Sequence, residues 1–320
     1  MAKPTVAPVM RQKPFVPWLY LLPAIIIMTV FILYPMINTV GLSFKNADGS
    51  ASAEVTCREG QPCWGAFENY RYALTNELNT SSPKAFWESF WISSYGNMIK
   101  WLLGMVSGTV IIGLVFAVWV DGIKSEALAK SIIFMPMAIS FVGAGVIWKF
   151  VYNYGTSQVQ TGILNAIISA FGGEPVAFLS KVPLNTFMLI IVGIWMWTGF
   201  CMTLLSAAIK SIPEEVIEAS RIDGATDFEV FAKIQVPIIM PTIIVVITTM
   251  VINVLKLFDI VYVMTGGNFG TNVLATRMYT EMYTNSQYGR GTAIAVILIL
   301  FIVPFIVMNI RRFMKEEAMR

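Results

Sequence analysis

The sequence contains no histidine among its 320 residues. Histidine is the commonest general base at neutral pH and a frequent metal ligand, and Ser-His and Cys-His nucleophile pairs depend on it. The three cysteines show neither a Cys-x-x-Cys nor a zinc-site spacing. No Walker A phosphate loop is present. We therefore expect no catalytic residue, no metal site and no ATPase activity in this chain.

Charged residues are scarce as well. They make up 13% of the chain, against 56% hydrophobic residues, whereas a typical soluble domain is about 25% charged. This composition is typical of membrane proteins. The net charge of +3 is too small to indicate a nucleic-acid partner. We expect a lipid membrane and no nucleic acid.

Long apolar segments, by contrast, are abundant. A helix crosses the hydrocarbon core of a bilayer in roughly 20 residues, and six segments reach or approach that length. The first is too long for the core of a signal peptide and lacks a small-residue cleavage site. We predict an all-α, multi-pass protein of the cell membrane, which is the inner membrane in a Gram-negative cell. The transmembrane domain covers 18–310, between tails at 1–17 and 311–320. The predicted spans are 18–42, 97–120, 131–152, 184–209, 237–259 and 291–310.

The placement of lysine and arginine predicts the orientation of these spans. With the N-terminus inside, the inner segments hold twelve of these residues and the outer segments seven, and the more positive side faces the cytoplasm. Both termini are therefore predicted to be cytoplasmic, as is the loop 210–236. The outer loop 45–95 contains Cys57 and Cys63, and a disulfide is permitted outside the cytoplasm. From the sequence, a disulfide between the two cysteines and two free thiols are equally open.

The best-specified local structure is the acid-rich loop between the fourth and fifth spans. Ser211 and Glu214 fit a capping box, and Pro213 suits the first helical turn. The helix is predicted to end near Ile222. Its acidic side chains complement the positive end of the helix dipole. A short helix therefore follows the fourth span directly.

A turn and a second helix complete this loop. The Asp223-Gly224 dipeptide is a turn signal in which Gly224 can take a positive φ. Thr226 and Glu229 fit a second capping box. An ordinary solvated hairpin is one interpretation, and close docking into a groove of another protein is the alternative. The small residues that favour docking are Ala219, Ser220 and Ala225.

The loop resembles the EAA loop of ABC importer permeases. The family pattern is E-A-A-x-x-D-G-A, and this chain reads Glu218-Ala219-Ser220-x-x-Asp223-Gly224-Ala225. It departs mildly at Ser220 for Ala, and at Val236 for the Leu of a following I-x-L-P element. Residues 134–150 resemble the third span of α-glucoside-type permeases, and 259–267 resemble an outer loop of the wider carbohydrate permease family. The resemblance covers roughly residues 90–310.

This resemblance implies a fold, partners and a coupling element. The fold is that of a type I ABC importer permease with six transmembrane helices. The permease forms a heterodimer with a second homologous permease. Two ATP-binding cassette subunits bind ATP and magnesium and grip the EAA loops, and an extracytoplasmic sugar-binding protein delivers the solute. This chain is then a non-catalytic transport subunit. The implied ATPase-coupling residues are Glu215, Glu218, Ala219, Ser220, Asp223, Gly224 and Ala225.

Ionisable groups inside membrane spans are costly and are functional candidates by default. Lys100 and Lys149 lie near predicted outer ends, where snorkelling of the side chain explains them. Lys256 lies in the predicted fifth span, with Asn253 three residues before it and Asp259 three after, so the three are expected on one helical face. A local Lys256–Asp259 pair at the membrane interface and a role in lining the solute pathway are both open.

Comparison with maltose-type permeases implies a sugar pathway near Asn253 and Lys256. Aromatic rings stack on the C–H faces of sugars, and a few polar groups bind their hydroxyls. Trp195 and Trp197 lie on different helix faces, so only one of them is expected to face the pathway. The implied pathway residues are Asn253, Lys256, Trp195, Trp197, Phe200, Met137 and Ser140.

The implied function is that of a permease subunit that forms half of the pathway of an ATP-driven oligosaccharide importer. The stretch 134–150 points to an α-glucoside, such as a disaccharide. Another solute of the same family, such as glycerol phosphate, a polyol or another sugar, is the alternative. A stand-alone secondary transporter is less favoured, because the sequence shows no internal repeat, and no carboxylate lies within the six apolar segments 14–44, 101–120, 131–148, 182–209, 234–255 and 291–310.

Overall fold

The computed structural model describes residues 15–50, 67–155 and 162–318. These ranges contain helices and connecting loops and no β-strand, which confirms the predicted all-α class. Cys57 and Cys63, the predicted pair of the outer loop, lie outside the described residues. Cys201 is a free cysteine buried in the helix bundle.

Five helices in the described ranges are long and apolar enough to cross a membrane, and a bent helix pair brings the number to six if it forms one span. The five long helices begin at Trp18, Ser94, Leu184, Asp227 and Tyr288, and the two helices of the bent pair begin at Glu126 and Phe141. In chain order the helices are α1 Trp18–Ser43, α2 Glu68–Thr75, α3 Pro83–Ile92, α4 Ser94–Val120, α5 Glu126–Ala138, α6 Phe141–Val151, α7 Ile163–Ala170, α8 Leu184–Lys210, α9 Glu214–Ile222, α10 Asp227–Leu255, α11 Asp259–Thr265, α12 Leu274–Tyr279 and α13 Tyr288–Ala318.

The third apolar segment is broken, which departs from the single helix predicted over 131–152. α5 and α6 meet at an angle of 97°. Pro136 lies in the tight last turn of α5, where it has no N–H for a helical hydrogen bond. Ser140 then caps the start of α6 with its hydroxyl. Before the break, α5 packs against Gly199 of α8, where an added Cβ would lie 2.5 Å from the carbonyl oxygen of Ile133. Two local signals thus mark the bend, and a glycine contact holds α5 against α8.

The helix of the fifth predicted span, α10, begins at Asp227, ten residues before the predicted start at 237. The reason is that the capping box of the preceding loop opens directly into the span. A π-helical turn at Val230–Gln235 joins the two parts, and Pro237, which lacks an N–H, lies in the first turn after it. The predicted short helix and the predicted span are therefore one continuous helix.

The same helix ends at Leu255, before the predicted end at 259. Lys256 closes it, and Asp259 begins α11. The expectation that Asn253, Lys256 and Asp259 share one helical face is therefore wrong. Leu257 is buried, so the chain leaves the helix and turns towards the bundle, where an apolar side chain is removed from solvent.

α4 and α8 form the centre of the bundle and run in the same direction. Gly104 faces Ile190 near their starts, and Gly113 faces Cys201 further along, where an added Cβ would lie 2.7 Å from the cysteine Cβ. Small residues permit this close approach of two helices. Both helices end at the face of the bundle from which the 210–236 loop emerges. This end is called the EAA face, and the other end the opposite face.

Candidate coupling loop and solute pathway

Helix α9 begins without the predicted side-chain cap. Pro213 is its N-cap residue. Ser211 instead lies at the end of α8, where its hydroxyl donates to the carbonyl of Ala208 at 2.7 Å. The capping box predicted for Ser211 and Glu214 is therefore wrong, because the serine hydroxyl is bonded within the preceding helix.

The turn after α9 and the second capping box are as predicted. Gly224 has a φ of +88°, which favours glycine, and its N–H donates to the carbonyl of Arg221 at 3.1 Å. Thr226 accepts the N–H of Glu229 at 3.3 Å, and the Glu229 carboxylate accepts the N–H of Thr226 at 3.1 Å. This reciprocal pair confirms the capping box. The orientation of α9 relative to α10 is thus set by a left-handed glycine and a capped helix start.

Most of the predicted coupling residues lie on the exposed surface of this loop. Ser220 is the exception, because it is buried and donates its hydroxyl to the carbonyl of Ile217 at 2.7 Å. Ala225 is half-buried and the other predicted coupling residues are exposed. Ile222 and Phe228 were not among them, yet they are 87% and 74% exposed. Two large apolar side chains are thus uncovered in an acidic, exposed loop, and their apolar character there was the available signal.

A small cavity lies where α4, α6 and α8 meet the break after α10. Its volume is ≈ 100 Å³. Three of the predicted pathway residues line it, which are Asn253, Lys256 and Trp197. The Nδ2 of Asn253 donates to the carbonyl of Thr249 at 3.0 Å, whereas the Lys256 side chain is exposed. The residues that line the cavity are Met105, Phe141, Trp197, Asn253, Lys256 and 257–260.

Aromatic rings form one wall of this cavity. Trp197 stacks on Phe141 with ring centroids 5.9 Å apart, and it meets Phe200 edge-on at 5.6 Å. Trp195 points elsewhere and packs edge-on against Trp148 at 5.5 Å. The two tryptophans lie on different faces of α8, as their spacing predicted, and Trp197 is the one that lines the cavity.

Met137 and Ser140 lie at the break between α5 and α6 and do not line the cavity. Met137 is half-buried and Ser140 is exposed. Phe141, the next residue, lines the cavity instead and was missed. Ser140 following Pro136 is a signal for a helix end and a new helix start, and it would have placed Phe141 in the first turn of α6.

Four charged side chains join α4, α5 and α8 at the EAA face. Lys130 Nζ lies 2.6 Å from Asp121 Oδ1 and 2.8 Å from Glu126 Oε1. Lys210 pairs with Glu126 as well, and its Nζ lies 3.8 Å from Asp121 Oδ1. Ser206 donates its hydroxyl to Asp121 at 2.7 Å. We call Asp121, Glu126, Lys130 and Lys210 the charge cluster. Since Lys210 is the last residue of α8, the charge cluster holds the helix end from which the EAA loop starts.

Residues 109–315 match the family model of the binding-protein-dependent transport system inner membrane component. The chain belongs to this family. It is therefore a multi-pass membrane protein and a translocation subunit of an ABC importer.

Curated relatives match this permease over almost its whole length. The osmoprotective compounds uptake permease protein GgtC of Synechocystis sp. is 46% identical, and the match covers 94% of this chain and 100% of the relative. The alpha-glucoside transport system permease protein AglF of Rhizobium meliloti is 42% identical, with coverage of 94% and 83%. The match therefore takes in both the EAA loop and the cavity.

A solved structure supports the fold of this permease. A chain of a bacterial ABC transporter involved in the import of the acidic polysaccharide alginate superposes with a TM-score of 0.67. The two chains are 23% identical, and the match covers 93% of this chain and 96% of that one. The arrangement of helices is thus that of an ABC importer permease, which confirms the predicted fold.

Proposed function

We propose that this permease carries a neutral, hydroxyl-rich carbohydrate across the membrane, specifically an α-glucoside such as a disaccharide. The observation that supports it most is the 42% identity to an α-glucoside permease over 94% of the chain. The cavity fits that chemistry, because Trp197 supplies an aromatic wall and Asn253 and Lys256 supply polar groups. Its volume of ≈ 100 Å³ lies below the ~300 Å³ at which ligand sites begin. Transport therefore requires the surrounding helices to move apart.

The EAA loop transmits ATP hydrolysis to these helices by docking into a groove of a separate ATP-binding cassette subunit. Two features support this. The loop matches the family motif in residue type and spacing, and it leaves Ile222 and Phe228 uncovered. The EAA face, with both termini, is then cytoplasmic, and this chain is a non-enzymatic subunit.

The complete assembly contains a second homologous permease, two ATPase subunits that bind ATP and magnesium, and an extracytoplasmic binding protein. The surface of α1 supports the need for a neighbour, because none of its most apolar window is buried by the rest of the described chain. Lipid and the second permease cover that surface in the membrane.

Reconstituted transport tests this proposal. The complex is purified through a tag on this chain and placed in liposomes with ATP inside and the binding protein outside. We expect ATPase subunits to co-purify, and radiolabelled maltose or trehalose to accumulate only with ATP. Failure of the intact complex to accumulate any α-glucoside would contradict the proposed substrate. Accumulation of maltose or trehalose by this chain alone would contradict the proposed coupling to a separate ATPase.

Import of an osmoprotective compound is a second candidate, because a relative of that name is 46% identical over 94% of this chain. Competition separates the two candidates. At a concentration equal to that of labelled maltose, an unlabelled polyol should suppress more than half of the maltose uptake if small osmoprotectants are the better substrates. If more than half of the labelled maltose uptake remains at equal concentration, the α-glucoside is favoured as the substrate.

We expect Lys256→Met to lower maltose uptake by about tenfold or more, since a hydrogen bond to a charged group contributes roughly 1.5–3 kcal/mol. The substitution keeps the length of the side chain and removes its ammonium from the cavity wall. Initial rates in proteoliposomes measure the effect. Lys84→Met is the matched control, because the Lys84 side chain is 87% exposed and does not line the cavity. Equal rates for the two variants would remove Lys256 from the pathway.

A further inference from the structure

The loop between α11 and α12 holds a phenylalanine in a backbone conformation that disfavours it. Phe269 has a φ of +57°, and Ser286 is the one other non-glycine residue of the described ranges with a positive φ. The neighbours Gly266, Gly267 and Gly270 have φ values of +65°, +77° and +70°, which glycine adopts without steric penalty. A bulky residue in this region is strained, and strain of this kind concentrates at functional sites.

Buried amides impose this conformation on the loop. Asn185 is fully buried and donates from Nδ2 to the carbonyl of Phe269 at 2.7 Å. Asn97, also fully buried, donates to the carbonyls of Gly270 at 2.7 Å and Asn272 at 2.9 Å. These bonds reach main-chain oxygens, so they tie the loop to α4 and α8 whatever side chain residue 269 carries. The phenyl ring is 57% exposed, so it is not held there by burial in the core.

The Phe269 ring lines an open pocket at the opposite face. The pocket has a volume of ≈ 670 Å³, within the range of about 300–1,000 Å³ that is typical of ligand sites. Tyr262 also lines it and is 41% exposed. Lys149, at the end of α6, contributes an ammonium group. Two aromatic rings offer stacking surfaces for the C–H faces of a sugar, and a flexible cation with a phenol offers hydrogen bonds for its hydroxyls.

Stacked rings join this pocket to the pathway cavity. Phe258 lines the cavity, and its ring stacks on Tyr262 with centroids 4.9 Å apart and an interplanar angle of 18°. The wall of the outer pocket is therefore continuous with the wall that carries Lys256. A sugar at Tyr262 lies next to the cavity in which the pathway residues meet.

We propose that Phe269, Tyr262 and Lys149 form an outer carbohydrate subsite, which receives the sugar before it reaches the pathway cavity. The subsite rests on the proposed carbohydrate function and adds a binding site at the opposite face. Phe269 is a binding residue, and its clamped backbone holds it at the edge of the pocket that its ring lines. We attribute the presence of phenylalanine at this strained position to the contact between its ring and the sugar.

Substitution of Phe269 separates the effect of backbone strain on stability from the effect of the ring on sugar binding. Phe269→Gly removes the ring and the strained conformation together, so the complex should melt at the same temperature as the wild type or higher. Maltose binding to the complex without its binding protein, measured by saturation-transfer NMR, should fall at least about fivefold, because an aromatic contact surface is lost. Phe269→Trp, which keeps an aromatic face, should retain most of the binding. Phe171→Ala is the control, since Phe171 is 90% exposed and lies outside the pocket.

Three results would overturn the subsite. If Phe269→Gly binds and transports maltose as the wild type does, the subsite is refuted and the proposed function stands. If that variant keeps maltose binding but loses affinity for the unloaded binding protein, the ring is a protein contact and not a sugar contact. If the wild-type complex neither binds nor transports any α-glucoside, the subsite and the proposed substrate fail together.

Discussion

Gly224→Pro should abolish sugar-stimulated ATP hydrolysis and uptake while the protein still inserts into the membrane. Gly224 has a φ of +88°, whereas proline holds φ near −65°, so the turn cannot keep its path. The substitution also removes the N–H that donates to the carbonyl of Arg221 at 3.1 Å. α9 is therefore displaced relative to α10, and its exposed residues no longer match the groove of the ATPase. We expect a loss of roughly 100-fold, which is what a displacement of about 1 Å can cost a catalytic arrangement.

The matched control is Gly172→Pro at the opposite face. Gly172 has a φ of +78°, and its N–H donates to the carbonyl of Ser169 at 3.0 Å. An added Cβ meets nothing within 4 Å at either glycine. The two substitutions therefore impose the same local backbone change at the two ends of the molecule. Equal ATPase rates for the two variants, in complexes of equal yield, would refute the assignment of the coupling loop.

Gly224→Ala gives a graded version of this test. Alanine in the left-handed region costs roughly 1–2 kcal/mol, and no atom obstructs its side chain. The turn is strained but keeps its path, so coupling should be weakened and not lost. A steep decline from Gly through Ala to Pro is expected if the orientation of α9 controls the coupling.

Local signals explain what could be predicted about the EAA loop. The turn at Gly224 and the capping box of Thr226 and Glu229 depend on residues at most three positions apart, so the sequence alone determines them. Ser211 fits a capping box equally well by sequence, but its hydroxyl donates to the carbonyl of Ala208 in α8. A local pattern thus failed where the end of one helix competed with the start of the next.

Contacts between distant parts of the chain explain what sequence reasoning missed. Asp121 and Lys210 meet at the EAA face, and Asn97 bonds the carbonyl of Gly270 at the opposite face. No periodicity or spacing in the sequence predicts either of these contacts. Apolar length predicted where the spans lie, but the bend between α5 and α6 is marked by local signals at Pro136 and Ser140 that apolar length does not include. The cavity walls depend on that bend, because it places Phe141 beside Trp197.

Lys130→Met should destabilise the permease and weaken its coupling more than removal of any exposed lysine. Lys130 lies 2.6 Å from Asp121 Oδ1, and the two side chains are only 21% and 16% exposed. Without the Lys130 ammonium, both carboxylates of the charge cluster have only Lys210 as a partner within the cluster, and Lys210 is half-exposed. A carboxylate that loses its partner in a partly buried site is costly. The end of α8 then moves more freely, and with it the start of the EAA loop.

Lys233→Met is the matched control for this substitution. Lys233 pairs with Glu229 at 2.8 Å and a spacing of four residues, as Lys130 pairs with Glu126, but the Lys233 side chain is 72% exposed. An exposed pair of this kind contributes little to stability because water screens it. We expect the melting temperature of the purified complex to fall by several degrees for Lys130→Met and to change little for Lys233→Met.

A double-mutant cycle decides whether Lys130 acts through Asp121. Asp121→Asn removes the opposite charge and keeps the side-chain shape, so combining it with Lys130→Met should cost less than the sum of the two single changes. We expect a coupling energy of about 0.5–3 kcal/mol between the two positions. Additive losses in melting temperature and in the ratio of sugar transported to ATP hydrolysed would show that the two residues act independently. A shared, non-additive loss in that ratio would show that the charge cluster, which lies at the start of the EAA loop, controls how tightly the loop is joined to the spans that it moves.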